Sequence, residues 1–248
     1  MGNYRHKLKG VGCRELEGRD SRSLEEDREK MVQEMRKTTP NLAYIDDSMN
    51  ATCALRRQEI VEEEPPVAEM RIIKEFTRLM SMDINKFYEG LDSHLHKLLQ
   101  LFRLKRFEEV QEMTSLMESL DKDASNQRKR VAALQGLPWY MKENPSTLMK
   151  RCEPTDPEED VIKGMVIGIL LVSEDVKGPL SYSDVAIVIE EKIVVRHLGD
   201  VPNAFVNLMG LLYMLNLDYP KDLKYTFEMI SACSWESGPR CALPGSTL

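Results

Sequence analysis

Residues 184 to 230 constrain the fold of this chain more than any other stretch. They open with Val185-Ala186-Ile187-Val188-Ile189, an unbroken apolar and β-branched run that reads as a buried strand. The chain then passes through His197-Leu198-Gly199-Asp200 into two helices. Ala204 to Leu215 is apolar on nearly every side of a helix, so it has to be enclosed. Both helices begin alike, with Asp200-Val201-Pro202 and Asp218-Tyr219-Pro220. In each, an acid stands where the first amides lack acceptors, and a proline stands where a missing N–H costs nothing. In the second helix Leu223, Phe227 and Ile230 form the inward stripe while Lys221, Lys224 and Glu228 face out. Asn207 and Asn216 are polar positions on the first helix that need partners if buried, either in the core or on another chain. Such a segment specifies a core and names no reaction.

The preceding part of the chain is helical in its periodicity. Ile84, Phe87, Leu91, Leu95, Leu98 and Phe102 recur at steps of three or four, with Lys86, Glu89, Asp92, His96, Lys97 and Arg103 on the other faces and Asp83 placed as a cap. A second helix carries Phe107, Val110, Met113, Met117 and Leu120. A third, about residues 125 to 137, carries Val131 and Leu134 and is expected to stop at Pro138. Asn144-Pro145 then opens a short helix through Met149. Short connections between such helices give a bundle.

Before this bundle, residues 1 to 66 are charged and poor in aromatics, broken at Thr38-Thr39-Pro40-Asn41 and at Glu62-Glu63-Glu64-Pro65-Pro66. Two exposed helices fit between the breaks. One, from about 23 to 37, has a stripe of Leu24, Met31 and Met35; the other, from about 45 to 61, has Met49, Leu55 and Ile60. The acidic, twice proline-broken segment 153 to 160 reads as a linker. Beyond it, 161 to 172 and 185 to 195 read as an antiparallel strand pair joined through Gly178-Pro179. Two strands are not stable alone and need the two final helices as cover. The expected fold class is therefore α+β, mostly helical: an N-terminal and central helical bundle, then a small antiparallel β hairpin packed by two C-terminal helices. The expected divisions are a charged helical or partly disordered arm (1–66), a helical domain (67–153), a small α+β domain (154–230) and a disordered tail (231–248).

With 248 residues and 42% apolar composition the chain can build a real core, and a net charge of −7 gives it no global attraction to nucleic acid or anionic membrane. Its five cysteines, Cys13, Cys53, Cys152, Cys233 and Cys241, include no C-x-x-C pair and are expected to be reduced. Met1-Gly2-Asn3-Tyr4-Arg5-His6 lacks the apolar core of a signal peptide, so a cytoplasmic or nuclear protein is expected. Myristoylation at Gly2 would call for Ser or Thr where His6 stands. The most apolar window, Ala204 to Leu217, falls short of the ~20 residues of a membrane helix.

No catalytic, cofactor or metal site is evident. His94 and His96 are two apart on one helix, pointing roughly 200° away from each other, and cannot share a metal. Asp92 and His96 share a face without a third ligand. His197 precedes a helix start, where it can bond to backbone or to Asp200; as a general base it would need a nucleophile that is not identifiable. Neither glycine-rich phosphate loop occurs, and Gly164 and Gly168 lie in a strand pattern, where a glycine marks a bulge or close packing. There is no G-x-S-x-G elbow, and the adjacent acids Asp46-Asp47 and Glu190-Glu191 diverge. The basic clusters Arg103-Lys105-Arg106 and Arg128-Lys129-Arg130 could meet phosphates if folding joined them, although each is short and lacks an aromatic platform.

From Asp200-Val201-Pro202-Asn203-Ala204 and Met209-Gly210-Leu211-Leu212-Tyr213 through Asp218-Tyr219-Pro220-Lys221-Asp222-Leu223-Lys224-Tyr225-Thr226-Phe227-Glu228, the chain resembles a fish-enriched group of proteins. Some of them are called sterile alpha motif domain-containing protein 3-like. The likeness extends through Leu137-Pro138-Trp139-Tyr140, the run from Phe76 to Phe102, and Arg56-Arg57-Gln58-Glu59-Ile60-Val61-Glu62-Glu63-Glu64-Pro65-Pro66. It implies no activity, cofactor or catalytic residue, and no sterile alpha motif is recognisable. The group carries a Trp-Pro-containing apolar segment before the helix near Ile72, whereas here Met70 runs directly into Arg71-Ile72-Ile73. Its last helix continues beyond the position of Ile230, whereas Ser231-Ala232-Cys233-Ser234-Trp235 is expected to break it, as in a truncated or variant product. The leading expectation is a non-enzymatic protein-interaction module with another protein as partner and no membrane role. The alternatives are a nucleic-acid-associated regulator derived from a mobile element, and an enzyme of unrecognised type with His197 in a pocket of acids.

Overall fold

In the computed structural model the apolar run at 185 to 189 lies inside a four-stranded sheet in the order β1-β2-β3-β4, built from Met149–Cys152, Ile167–Ser173, Tyr182–Ile189 and Lys192–Val195. The structure describes residues 21–57, 84–104, 111–122, 125–173, 182–215 and 217–235. The chain divides into two units, one of Met1–Asp83 with Asn207–Asp218 and the other of Ile84–Val206 with Tyr219–Leu248. Segment 153 to 160 lies inside the second unit. The α-helices among the described residues are α1 (Ser21–Met35), α2 (Leu42–Arg57), α3 (Ile84–Leu104), α4 (Gln111–Lys122), α5 (Asn126–Met141), α6 (Glu158–Ile162), α7 (Val201–Met214) and α8 (Lys224–Trp235).

The expected antiparallel pair is present as β2 with β3, but it belongs to a larger, mixed sheet and is not a separate hairpin. β1 runs parallel to β2, while β2 with β3 and β3 with β4 are antiparallel. Parallel neighbours need a crossover, and α6 supplies it between β1 and β2. Residues 158 to 162, read as linker and strand, form this helix because Pro157 precedes three acids in its first turn, Glu158, Glu159 and Asp160, which suit the positive end of a helix dipole. Asn144 does cap the Pro145 turn, its Oδ1 accepting from the Ser146 N–H at 3.1 Å, but the turn is a single 3-10 winding that gives way to β1 at Met149. The expected strand 185 to 195 is two strands joined at Glu190 and Glu191, whose φ angles of 53° and 60° form a tight turn without the usual glycine or asparagine.

The second unit buries both faces of β2 and β3. Leu170, Val172, Ala186 and Val188 pack with Cys152, Ile162 and Met165 on one side, and Ile167, Ile169, Leu171, Val185, Ile187 and Ile189 are also buried, so their strands read as continuous apolar runs. Gly168 has a packing role, as its sequence context suggested. A Cβ there would lie 2.6 Å from the Leu148 carbonyl oxygen, which accepts from the Ile169 N–H at 2.7 Å where β1 joins β2. Gly164 instead sits before the strand at φ +79°.

The helices of this unit centre on α3. α5 and α8 pack on it, α4 packs on α5, and α8 also packs on α5. Thus α8 lies against bundle helices, whereas a cover for the hairpin was expected. Phe87, Leu91, Leu95, Leu98 and Phe102 are buried as their spacing requires, and Leu99 joins them. Pro138 does not end α5, which runs to Met141 and closes at Lys142 in the left-handed region; a proline so near the C-terminus removes one bond without unwinding the last turn. α8 likewise passes Ile230 and reaches Trp235, with Cys233 buried. Of the tail, residues 236 to 248 lie outside the described residues, as do Asp83, Phe107, Val110, Gly178-Pro179, Asn216 and Ile60.

The two Asp-x-Pro starts behave differently. Asp200 caps α7, its Oδ1 accepting from the Asn203 N–H at 2.8 Å. α8 is capped from another part of the chain: Glu143 accepts from the Tyr225 and Thr226 N–H groups at 2.9 and 2.8 Å, one through each carboxylate oxygen. Asp218 is exposed, because a 3-10 turn at Lys221–Leu223 separates it from the helix proper.

In the first unit α1 and α2 pack together, burying Leu24, Met31 and Val32 from one and Cys53 and Leu55 from the other. Their junction falls at the expected break, where the Asn41 Oδ1 accepts from the Tyr44 N–H at 3.2 Å. The same unit buries Arg56, only 1% exposed. Its Nη2 donates to the Met49 carbonyl at 2.8 Å, its Nη1 to Thr52 Oγ1 and its Nε to the Met214 carbonyl at the end of α7. Helix C-termini leave carbonyls unpaired and carry partial negative charge, so a guanidinium satisfies both needs. Cys53 is disulfide-bonded, which corrects the expectation of reduced thiols at this position; distance along the sequence does not report which sulfurs folding brings together. Its sulfur lies 3.1 Å from the Leu215 carbonyl oxygen, a contact and not a hydrogen bond because a disulfide sulfur has no proton. Cys152 and Cys233 are buried and not in disulfides.

Three consequences can be measured by chemical unfolding. Gly168→Ala should destabilise the chain by about 1–3 kcal/mol, since backbone and not a pliable side chain blocks the added methyl. Arg56→Met fills similar space but strips the Met214 carbonyl and Thr52 of their donor, and should cost about 2–4 kcal/mol. Glu143→Gln keeps one acceptor oxygen and should cost about 1 kcal/mol or less, with faster amide exchange confined to the first turn of α8.

Candidate functional site

Asp92, Leu95, His96, Leu99, Gln100 and Arg103 recur at steps of three, one, three, one and three, which places them along one face of α3. Together with Leu120 at the end of α4 and Asn126 and Lys129 on the first turns of α5, they line a groove of about 400 Å³. Leu95, Leu99 and Leu120 form its floor, at 5%, 8% and 3% exposure. The rim is polar and carries His96, Arg103 and Lys129. A concave apolar surface with a few polar groups at its edge is the usual form of a ligand site.

Ion pairs and close packing set the walls. The Asp92 carboxylate accepts two bonds from Arg130, from Nε at 2.7 Å and from Nη2 at 2.6 Å, tying α3 to α5 in the planar fork that a guanidinium and a carboxylate share. The Arg130 guanidinium also lies 4.6 Å from the centroid of the Tyr88 ring. Its hydrogen bond to Asp92 raises its pKa above the ordinary arginine value, against the opposing effect of partial burial. Arg103 Nη2 donates to Asp121 at 2.8 Å and links α3 to α4. Ser125 caps α5, its Oγ accepting from the Arg128 N–H at 3.4 Å.

Folding therefore brings together part of what the sequence had separated. Arg103 and Lys129, one from each basic cluster, line the same groove; Lys105 and Arg106 lie outside the described residues. Arg130 is committed to Asp92, which is consequently not a free partner for His96. His94 turns to its own helix, with Nδ1 2.9 Å from the Gly90 carbonyl oxygen and from Ser93 Oγ. His197 is elsewhere, at φ +60° with its side chain 84% exposed; its Nδ1 lies 3.5 Å from Asp184 Oδ1, while Asp200 serves as a helix cap and accepts from Gln127. Asp184 also accepts from the His197 N–H at 2.9 Å and pairs with Arg196, whose Nη2 bonds Glu158. Burial pushes the Cys152 thiol up, assisted by Glu158 and Asp156, so it is a poor nucleophile. Among the described residues no three His, Cys, Asp or Glu side chains are placed to hold a metal, and no helix is long and apolar enough to cross a membrane.

The groove itself was missed in the sequence because Leu95 and Leu99 count equally well as core. The available signal was the second stripe beside the core stripe, Asp92, His96, Gln100 and Arg103, polar yet flanked by leucines.

Residues 24–76 match the family model described as the sterile alpha motif domain-containing protein 3 helical domain. No curated protein and no solved structure matches the chain. The matched segment includes α1 from Leu24 onward and all of α2, and it ends before the groove. Over residues 24–76 the chain is thus similar to the helical domain of sterile alpha motif domain-containing protein 3.

Proposed function

We propose that this chain is a non-enzymatic protein-interaction module. The observation that carries this reading is the groove of α3, α4 and α5, an apolar floor with a polar rim in which the one acid, Asp92, is held by Arg130 and is not poised for chemistry. The helical-domain match at residues 24–76 agrees with an interaction role in general terms. Proximity labelling with the full chain in its native tissue is expected to return the same partner proteins in repeated experiments. Labelling indistinguishable from that of an untethered labelling enzyme would overturn the reading.

A second reading, a nucleic-acid-associated regulator, is favoured by the meeting of Arg103 and Lys129 at one groove. Against it stand the commitment of Arg130 to Asp92 and the overall charge of −7. Gel-shift titration over a series of salt concentrations separates the two. Nucleic-acid binding would weaken steeply with salt, with a slope reduced by neutralising Arg128, Lys129 and Arg130; the interaction module predicts no such slope.

A further inference from the structure

We infer that the groove takes a short acidic, amphipathic segment of a partner protein, with its apolar side chains on the leucine floor and its carboxylates at Lys129 and Arg103. This rests on the interaction-module reading and assigns that module its site and its ligand chemistry. Three features converge on this occupant.

The first is shape. At about 400 Å³ the groove falls near the lower end of the ~300–1,000 Å³ range of ligand pockets, which suits a peptide segment and not the broad face of a globular partner. Leu95, Leu99 and Leu120 lie at the bottom of the groove, where the apolar side chains of an amphipathic segment would rest.

The second is charge. Asp92, the acid of the lining, is spent on Arg130, so the electrostatic character of the rim is set by Lys129 and Arg103 on a chain that is acidic as a whole. Lys129 makes no side-chain hydrogen bond or ion pair among the described residues. Arg103 is paired with Asp121, yet both side chains are more than half exposed, at 57% and 68%, and an exposed pair is worth only about 0–1 kcal/mol. A partner carboxylate can displace Asp121 at little cost.

The third is the unspent polar capacity of the rim. His96, Gln100 and Asn126 also make no side-chain hydrogen bond among the described residues. They border the leucines on both sides, where a bound segment presents its polar face. A nucleic-acid backbone would use the cations but leave the leucine floor uncovered, which is why an acidic peptide is the better fit.

Selection of short random peptides displayed on phage tests the assignment, using the full chain as bait and the Lys129→Glu variant for counter-selection. Selected peptides should combine Asp or Glu with Leu, Ile or Phe at spacings of three and four. Synthetic copies should lose about tenfold or more in affinity for Lys129→Glu and for Arg103→Glu, a loss of about 1.4 kcal/mol per tenfold, and should weaken as salt rises. Circular dichroism of each variant checks that the bundle is intact, and Lys163→Glu, an exposed change outside the groove, should leave affinity unchanged. Peptides without acidic bias, affinity indifferent to Lys129→Glu, or no enrichment at all would each overturn the assignment. If proximity labelling still returns constant partners in those cases, the interaction-module reading survives and only its site falls; if labelling also fails, both fall.

Discussion

The second unit depends on a contact in which a side chain is missing. Gly136 on α5 faces the Phe102 ring of α3 so closely that a Cβ would lie 2.6 Å from Phe102 Cε2, with Met113 of α4 at 3.3 Å. A glycine inside a helix costs about 0.5–1 kcal/mol relative to alanine. Here the cost is offset by seating an aromatic ring, itself 1% exposed, at the meeting of three helices. With α3 and α5 drawn together at this level, Arg130 reaches both carboxylate oxygens of Asp92, and the groove opens beside that ion pair on the same faces of the same helices. Packing thus fixes the separation of the walls, and the ion pair fixes their register.

The first unit solves a different problem with a polar group. A helix as apolar as α7 ends in carbonyls that water cannot readily reach, and the Arg56 guanidinium serves the Met214 carbonyl while bonding Thr52 and the Met49 carbonyl of its own helix. This buried arginine bonds backbone oxygens and a hydroxyl among the described residues. It explains why a segment that looks like a charged surface arm, residues 42 to 57, carries an interior cation.

Much of this was legible where one local signal had one meaning. The stripe from Phe87 to Phe102, the enclosed helix after Asp200, the Asn41 break and the close packing at Gly168 all follow from spacing, capping chemistry or steric demand. The errors fell where distant residues decide the outcome. Asp218-Tyr219-Pro220 has the chemistry of a cap, but Glu143 arrives from elsewhere to take that role. β1 at Met149–Cys152 has little strand character of its own and exists because β2 offers it an edge. Glu190 and Glu191 turn a hairpin without turn residues, with the Glu190 and Glu191 amides bonded to the Val166 and Met165 carbonyls. The groove was illegible for the same reason: its leucines count as core until α4 and α5 leave them a mouth.

The central claim is that this groove, through Lys129 and Arg103, holds an acidic segment of another protein. The most direct measurement places a photo-crosslinking amino acid at Gln100, on the groove wall, in the full chain expressed in its native cells, followed by mapping of the joined residues. The account predicts a crosslink to a segment that carries acids among apolar residues, sharply reduced when Lys129 is changed to Glu. A crosslink undiminished by that change, or one that maps to a basic or uncharged segment, would contradict it.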